Sequence, residues 1–524
     1  MFSQPVSAPA RSVRHLAISL FALGLWVHAA PLLAAPQSWL NNGQPTAAAR
    51  QAVAVLGSAD LDGLNPQAYD AARLQERVAR AGNGSPLAAA EAEQLDADLN
   101  RALRRYVHEL RFGRLHPASI EENYSPVPTT PDAVDQILST AQQDNRMAEL
   151  PQRAAPPIRL YADLRAMLAH YRELARQGGW EQRLPSFAGS KLSPGDAYTG
   201  LTSLTRRLIV LGDLPANTAV PSRYQGALVD GVRAFQRRHG LTPDGVIGAA
   251  TFRELNVAPA ERVQQIELAM ERLRWLPLNG PRLIVVNIPE FRLRGLEWQD
   301  GQPAVALAMN VIVGASPKTP TPLFDAPMRF IEFSPYWNVP PSIARGETIP
   351  KLRKDPGYFA NQGFEFVDGS GKVVTDFSPE ALEAASRGQL RIRQRPGARN
   401  ALGDIKFVFP NPDNIYLHHT PTPQLFKRDR RDFSHGCIRV EAPVDLARFV
   451  LANDPAWTQE RIEDSMKRGK SSTMRLDEEL PVVLAYLTAV VIDGQAHFFN
   501  DLYGQDKRLA EALGSQPATR LSLR

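Results

Sequence analysis

The apolar residues of the first third of the chain recur at helical spacing. From Gln37 to about Gly200 the sequence is rich in Ala, Leu and Arg, and apolar positions stand four residues apart at Leu95, Leu99, Leu103 and Val107. Residues four apart lie on one face of a helix, so the pattern predicts amphipathic helices that pack on a common core. We interpret residues 36–200 as a helical scaffold region.

A compact unit of different character follows over residues 201–257. In ALVDGVRAFQRRHGLTPDGVIGAATFRELNV, Leu228, Val232 and Phe235 share one helical face, and Gly240 is a helix stop. A Pro-Asp-Gly turn and a second short helix come next. The pattern predicts three short helices around one small core.

Beyond residue 262 the chain consists mainly of β-rich runs. RLIVVNIPEFRLRGLE, PAVALAMNVIVG and APMRFIEFSPYWNVPP are separated by Gly, Pro and Asp, and Asp493-Gly494 between apolar runs predicts a hairpin. Residues 342–400 interrupt the strands with a charged segment that has its own helix, from Pro379 to Ala385. We expect this insertion to be a lid or substrate-shaping cap, with a passive loop as the alternative.

The N-terminus has the layout of a secretory signal peptide. Two arginines precede an apolar run from Leu16 to Ala30, and small residues follow at Ala34 and Ala35. A run of roughly 15 residues is short for a bilayer, so we expect residues 1–35 to be removed by cleavage. An uncleaved membrane anchor is the alternative.

The composition indicates a folded, exported protein of several domains. Its 524 residues, 44% of them hydrophobic, suffice for about three domains. The formal net charge of +5 is a mild basic excess without an aromatic-interleaved basic tract, which argues against nucleic acid as a partner. The one cysteine, Cys437, has no partner for an internal disulfide in an oxidising compartment, so its thiol needs another explanation.

The segment IYLHHTPTPQLFKRDRRDFSHGCIRV, residues 415–440, surrounds this cysteine with histidines. A zinc site needs several convergent ligands, but His418 and His419 are adjacent on an expected strand and point to opposite faces. A thiol nucleophile needs only one neighbouring imidazole to take its proton. The turn Ser434-His435-Gly436 lets backbone amides around it face a developing oxyanion. We favour the nucleophile over a metal cage or a buried structural cysteine.

These residues resemble the catalytic motif of the L,D-transpeptidase (YkuD) family, in which a histidine precedes a Ser/Thr-His-Gly-Cys segment. Here the motif reads His418, then Ser434 to Cys437. Residues 201–257 resemble the peptidoglycan-binding domain 1 family, through Phe235-Gln236, the Gly-Leu turn and the helix from Thr251 to Leu255. A structural spacer with the same core is the alternative for this unit.

The order of the segments, the phrase YWNVPPSIA and the ending FNDLYGQD are similar to the large periplasmic YcbB-type members of the family. The resemblance implies a multidomain α+β fold with a β-rich catalytic domain over residues 263–510, an inserted cap at about 342–400 and a C-terminal tail over 511–524. It also implies a periplasmic location.

The resemblance assigns the chemistry residue by residue. Cys437 would be the acyl-accepting nucleophile, and His418 would be its base. His419 stands where the subgroup usually has an acidic residue, which makes it an alternative base. The site would be shaped by Ser434, His435 and Gly436.

Two charged features of the motif have open roles. Arg439 replaces the asparagine of the general motif, and it either pairs with a substrate carboxylate or forms a structural ion pair. The run from Lys427 to Asp432 is either a solvated face or a wall that attracts acidic stem peptides.

The resemblance implies a transpeptidase that forms 3→3 crosslinks through a cysteinyl thioester, with peptidoglycan tetrapeptide stems as donor and acceptor. It implies no cofactor and no metal, and it implies acylation of the same sulfur by carbapenems. Peripheral association with cell-wall synthesis enzymes is a further expectation. The alternatives are an L,D-carboxypeptidase, an enzyme that attaches or detaches a lipoprotein, and a non-catalytic wall-binding scaffold.

Overall fold

The computed structural model describes residues 38–514, apart from residues 179, 181, 188 and 376. The expected signal peptide, residues 1–35, lies outside the described residues. Residues 511–514, expected to open the C-terminal tail, belong to the last helix instead. In the described part, no helix is long and apolar enough to cross a membrane.

Helices dominate the N-terminal region, as the apolar spacing predicts. Within the described residues they are α1 (Ala47–Gly57), α2 (Ala71–Asn83), α3 (Ala89–Phe112), α4 (Ala133–Gln143), α5 (Leu150–Ala154) and α6 (Arg159–Gln177). Three two-residue strands accompany them: β1 (Leu40–Asn41), β2 (Gln44–Pro45) and β3 (Glu122–Asn123). The predicted apolar face of α3 is fully buried, and each of its side chains contributes about 1.5 to 3 kcal/mol to folding.

The next unit encloses a small core of its own. Its helices are α7 (Leu201–Val210), α8 (Ala227–Arg238) and α9 (Ala249–Leu255). Leu228, Val232 and Phe235 are buried in this core, as predicted. The Gln236 side-chain oxygen accepts the Gly245 N–H at 2.8 Å, so this buried glutamine fixes the turn after α8.

A helical bridge leads to the first four long strands. These elements are α10 (Pro259–Leu273), β4 (Arg282–Asn287), β5 (Arg292–Gln299), β6 (Gln302–Gly314) and β7 (Leu323–Phe333). Strands β4, β5 and β6 form an antiparallel meander.

The inserted segment, residues 337–400, folds around a separate small core. Its elements are β8 (Trp337–Asn338), α11 (Pro341–Ile343), α12 (Ile349–Lys354), α13 (Gly357–Asn361), β9 (Phe364–Val367), β10 (Val373–Val374), α14 (Pro379–Ser386) and β11 (Arg391–Gln394). A π-helical turn, Ala344–Thr348, joins α11 to α12. Because β8 pairs with β11, the insertion begins slightly before the expected residue 342.

The chain then returns to the main sheet. The remaining elements are β12 (Ile405–Val408), β13 (Leu417–His418), β14 (Asp432–Ser434), β15 (Ile438–Val440), α15 (Pro443–Val450), α16 (Gln459–Lys467), β16 (Ser472–Ala485), β17 (Ala489–Ile492), β18 (Gln495–Phe498) and α17 (Gln505–Gly514). The predicted hairpin is β17–β18, and both turn residues, Asp493 and Gly494, have positive φ.

The main sheet closes on itself. Its strand order is β12-β13-β15-β6-β5-β4-β16-β7, and β7 pairs in turn with β12. Phe407, Leu417 and Ile438, on β12, β13 and β15, are fully buried. Since side chains alternate along a strand, the opposite face of these three strands carries their polar residues.

The N-terminal helices and the β-rich domain share one continuous core. Strand β3 pairs in parallel with β7, with Glu122 opposite Leu323. Arg272 on α10 is fully buried, and its guanidinium pairs with Glu122 at 3.0 Å and also with Asp506. The fold is therefore the expected multidomain α+β type, in which the helical region is joined to the β-rich domain by both apolar and ionic contacts.

Candidate active site

Cys437 lies in a short loop between β14 and β15, and Ser434 holds that loop closed. The Ser434 hydroxyl donates to the Cys437 carbonyl oxygen at 2.5 Å and accepts the Gly436 N–H at 3.2 Å. Gly436 has a φ of 113°, which side-chain-bearing residues rarely adopt. Its carbonyl accepts the Thr321 hydroxyl at 2.7 Å. These bonds fix the backbone on both sides of the peptide bond that precedes the cysteine.

Cys437 is half-buried and packs against the main hydrophobic core. Its thiol donates to the Asn414 carbonyl oxygen at 3.6 Å. Burial raises the pKa of the thiol, and hydrogen bonds from Tyr416 and the charges of Lys406 and Arg439 offset that increase only in part. The sulfur is therefore a thiol at neutral pH, and it needs a base to become nucleophilic.

His418 occupies the strand beside this loop. Strands β13 and β15 pair in parallel with His418 opposite Arg439, and Cys437 precedes Arg439 by two residues. Residues two apart in extended chain face the same side, and residues opposite each other on paired strands also share a face. The register therefore brings the imidazole and the thiol to one face of the sheet.

Backbone partners set the protonation of His418. Its Nδ1 lies 2.5 Å from the His419 carbonyl oxygen, which can only accept, so Nδ1 carries the proton. The Leu402 carbonyl also interacts with the ring. Burial and the positive charge of Arg439 lower the pKa of His418 to about 3. A neutral imidazole, in which one ring nitrogen is unprotonated, is the form that accepts a proton from a thiol.

His419 lies on the other side of the strand. A Cβ added to Gly403, whose φ is 63°, would stand 2.7 Å from the His419 Cβ, so the imidazole packs directly on this glycine. The His419 Nδ1 is 3.4 Å from the Asp404 carboxylate. The geometry thus separates the two candidate bases, because only His418 shares the face of Cys437.

The sequence pattern did not identify three polar side chains of this face, namely Tyr416, Lys406 and Glu332. The Tyr416 ring centroid is 5.8 Å from that of His418. The Lys406 Nζ lies 4.4 Å from the Tyr416 ring centroid and 3.2 Å from the Glu332 carboxylate. Tyr416 precedes His418 by two residues, so alternation along the strand could have identified it. The register that sets Lys406 opposite His418 and Glu332 is visible only in the folded sheet.

Arg439 is a half-buried guanidinium that has no carboxylate partner among the described residues. Its Nη1 lies 3.4 Å from the Thr422 hydroxyl, and its Nε is buried without a hydrogen-bond partner in that same part of the chain. Burial lowers the pKa of Arg439, but an arginine remains charged in proteins. The structural ion pair considered for this residue is thus not found within the described residues, and a cation remains near Cys437.

His435 contacts the inserted segment. Its Nε2 lies 2.6 Å from the Glu347 Oε1, and both side chains are 43% exposed. No group of three or more His, Cys, Asp or Glu side chains could hold a metal ion in the part of the chain that the structure describes.

The charged run before the motif is partly built into the fold. Residues 427–430 are exposed, but Asp432 is buried. Its carboxylate accepts two bonds from Arg430, at 2.6 and 2.8 Å, and one from the Ser316 N–H at 3.1 Å. The Arg431 guanidinium lies 5.2 Å from the Phe291 ring centroid. The interpretation as a solvated face therefore holds only for the first four residues of the run.

Three family models match the chain. The YkuD model, "L,D-transpeptidase catalytic domain", matches residues 281–458, which include the whole site described above. The model "Scaffold domain" matches residues 37–168. The model "Putative peptidoglycan binding domain" matches residues 199–255, the unit of α7 to α9.

Two curated relatives and a solved structure are similar to the chain. A Haemophilus influenzae protein named "Putative L,D-transpeptidase" is 32% identical over 261 residues, 49% of this chain and 50% of the relative. Epoxide hydrolase 1 of Sus scrofa is 26% identical over 102 residues, 20% of this chain and 22% of the relative. The chain thus spans half or less of the length of these relatives. A crystal structure of an L,D-transpeptidase from Xylanimonas cellulosilytica is 14% identical and covers 57% of this chain and 100% of that chain, with a TM-score of 0.17.

Proposed function

We propose that this protein joins peptidoglycan stem peptides by 3→3 crosslinks. Its residues 281–458 match the L,D-transpeptidase catalytic-domain model, and residues 199–255 match the peptidoglycan-binding model. The donor is a tetrapeptide stem, and the acceptor is an amine of a second stem. The observation that carries the proposal is the register of β13 and β15, which sets His418 and Cys437 on one face.

The proposed reaction has two acyl transfers. The Cys437 sulfur attacks the carbonyl carbon of the L,D peptide bond after the third donor residue, while the thiol proton passes to the His418 Nε2. The C–N bond then breaks, His418 returns the proton to the leaving amine, and D-alanine departs. The acceptor amine attacks the resulting thioester and gives its proton to His418, and the thiol is restored. The scheme predicts ping-pong kinetics.

Both reacting groups begin uncharged in this scheme. The raised pKa of Cys437 keeps the sulfur protonated, and the lowered pKa of His418 keeps the imidazole neutral. His418 therefore acts as a general base during the attack, and the enzyme does not store a thiolate and imidazolium pair beforehand.

The Cys437 amide is the proposed oxyanion donor. The Gly436 N–H already bonds to the Ser434 hydroxyl, whereas the Cys437 N–H has no acceptor in the described residues. Because Ser434 also holds the Cys437 carbonyl, the free N–H has a fixed direction. A preorganised donor of this kind stabilises the charge that develops on the carbonyl oxygen.

Arg439 is the proposed binding group for a carboxylate of the stem peptide. Its guanidinium has free hydrogen-bonding capacity and interacts electrostatically with the Cys437 sulfur. A charge-assisted bond from its accessible nitrogens to a substrate carboxylate would orient the donor.

A contact between residues 201–257 and the charged run supports a role of this unit in guiding peptidoglycan toward the site. The Thr242 hydroxyl donates to Asp429, which lies in the exposed part of the charged run. We propose that the protein acts in the periplasm after cleavage of residues 1–35, with cell-wall synthesis enzymes as peripheral partners.

Muropeptides that carry tetrapeptide stems test the proposal. The mature protein and its Cys437→Ala variant are incubated with them, and the products are separated by mass. The proposal is supported if the unaltered protein forms dimers with 3→3 linkage and Cys437→Ala does not. Tripeptides alone would indicate an L,D-carboxypeptidase, and an unchanged profile would indicate a wall-binding scaffold. Crosslinks formed by Cys437→Ala would overturn the nucleophile assignment.

A further inference from the structure

A hydrogen bond connects the inserted segment to the catalytic loop, residues 435–437 between β14 and β15. The His435 Nε2 lies 2.6 Å from the Glu347 Oε1, although the two residues are 88 positions apart in the sequence. His435 precedes the nucleophile by two residues. Glu347 lies in the π-helical turn between α11 and α12, and such turns are frequent at functional sites.

This bond is distinct from the other contacts of the inserted segment. The segment has its own core, and its other ion pairs in the described residues are internal, such as those of Glu383 with Arg353 and Arg387. Apart from bonds at its two chain connections, the Glu347–His435 pair is the side-chain hydrogen bond that links residues 337–400 to the rest of the described protein.

The charges around Glu347 favour this pairing. Burial raises the pKa of Glu347, but the bond to His435 and the Lys351 ammonium, 3.5 Å away, more than offset that effect, so its pKa lies below the usual value. Glu347 is thus a carboxylate at neutral pH, and its oxygens only accept hydrogen bonds. Both partners are 43% exposed, so the bond can break and re-form without unfolding either unit.

We propose that Glu347 is a positioning residue for acyl transfer, which it serves by holding His435 and thereby the backbone that carries the Cys437 N–H and sulfur. The inference rests on the proposed function, because it concerns the same loop. Ser434 and Thr321 fix the inner side of this loop, and Glu347 fixes its exposed side. The inserted segment thereby acts on the catalytic loop itself.

Steady-state kinetics of Glu347→Ala, Glu347→Gln and the control Glu383→Ala test this role. Glu383 is a fitting control because it also belongs to the inserted segment and is also about half exposed, at 51%. We expect Glu347→Ala to lower kcat about tenfold with little change in KM, since a displaced loop weakens contacts made in the transition state. Glutamine still accepts a hydrogen bond from His435, so Glu347→Gln should recover most of the rate.

Two further readouts separate positioning from a general loss of structure. Alkylation of Cys437 by iodoacetamide should slow much less than kcat in Glu347→Ala, because the small reagent needs the sulfur and its base but no oxyanion alignment. In a His435→Ala background, which has no side-chain donor for the carboxylate, Glu347→Ala should have no additional effect on kcat. Equal kcat values for Glu347→Ala and Glu383→Ala, or a Glu347→Gln variant as slow as Glu347→Ala, would overturn the inference. If the unaltered enzyme forms no crosslink, the proposed function fails instead.

Discussion

Arg439 faces His418 across the paired strands β13 and β15, and its positive charge is, after burial, the main cause of the neutral imidazole. The Arg439 side chain thus has two effects on the site. It keeps the base unprotonated, and it leaves a cation free for an anionic substrate group.

The pH dependence of acylation should reveal the first effect. With the pKa of His418 at about 3 and that of Cys437 raised, neither group titrates between about pH 5 and 8, so the rate should be flat there. Arg439→Gln removes a charge that lowers the pKa of His418. The pKa of His418 is then higher in the variant. As the pH is lowered, the rate of Arg439→Gln should therefore begin to fall at a higher pH than the rate of the unaltered enzyme. Rapid-quench acylation by a tetrapeptide donor from pH 4 to 8 measures this. An acid limb near pH 6.5 in the unaltered enzyme would contradict it.

Substrates with amidated carboxylates test the second effect. Loss of a charged hydrogen bond costs about 1.5 to 3 kcal/mol, so Arg439→Gln should lower kcat/KM about 10- to 100-fold. We then test tetrapeptide donors that are amidated at one carboxylate at a time. With one of them, kcat/KM of the unaltered enzyme should fall as far as it does in Arg439→Gln with the normal donor. With that same donor, Arg439→Gln should show no further decrease in kcat/KM. Additive losses with every donor would show that Arg439 contacts no substrate carboxylate.

The two adjacent histidines should differ sharply when replaced. His418→Ala removes the general base and should lower kcat by about 100- to 10,000-fold. His419→Ala removes a ring that packs on Gly403 and Asp404, so we expect a small change in turnover. Crosslinking assays at saturating donor compare the two variants. A larger loss for His419→Ala would exchange the roles of the two residues.

The buried ionic contacts of Arg272 should matter for stability. Arg272→Met leaves Glu122 and Asp506 buried without their cation, which should lower the free energy of unfolding by about 3 to 5 kcal/mol. Arg508→Met is a suitable control, because Arg508 pairs with Glu121 at the surface and should contribute less than about 1 kcal/mol. Urea unfolding followed by circular dichroism gives both values. Equal losses would argue against the buried network.

The features that sequence predicts here are the local ones. Helical periodicity identifies the buried face of α3, and Asp493-Gly494 identifies the hairpin, because each depends on residues close in the chain. The adjacency of His418 and His419 predicts that they face opposite sides, and in the structure His419 packs on Gly403.

The remaining features depend on pairing between distant segments. Strand β3, which contains Glu122, pairs with β7 although some 200 residues separate the two strands. This pairing joins the helical region to the main sheet. Lys406 reaches the site only through the antiparallel register of β12 and β13, and Glu347 only through the folding of the inserted segment. Local periodicity shows neither which distant strands pair nor where an insertion docks.

Intact-mass spectrometry of the acyl-enzyme tests the central claim most directly. The mature protein is mixed with a tetrapeptide donor without acceptor and quenched in acid. We predict one adduct with the mass of the donor minus D-alanine, which hydroxylamine removes and which is absent from Cys437→Ala. An adduct that persists in Cys437→Ala, or crosslinking without any such adduct on the unaltered enzyme, would contradict the account.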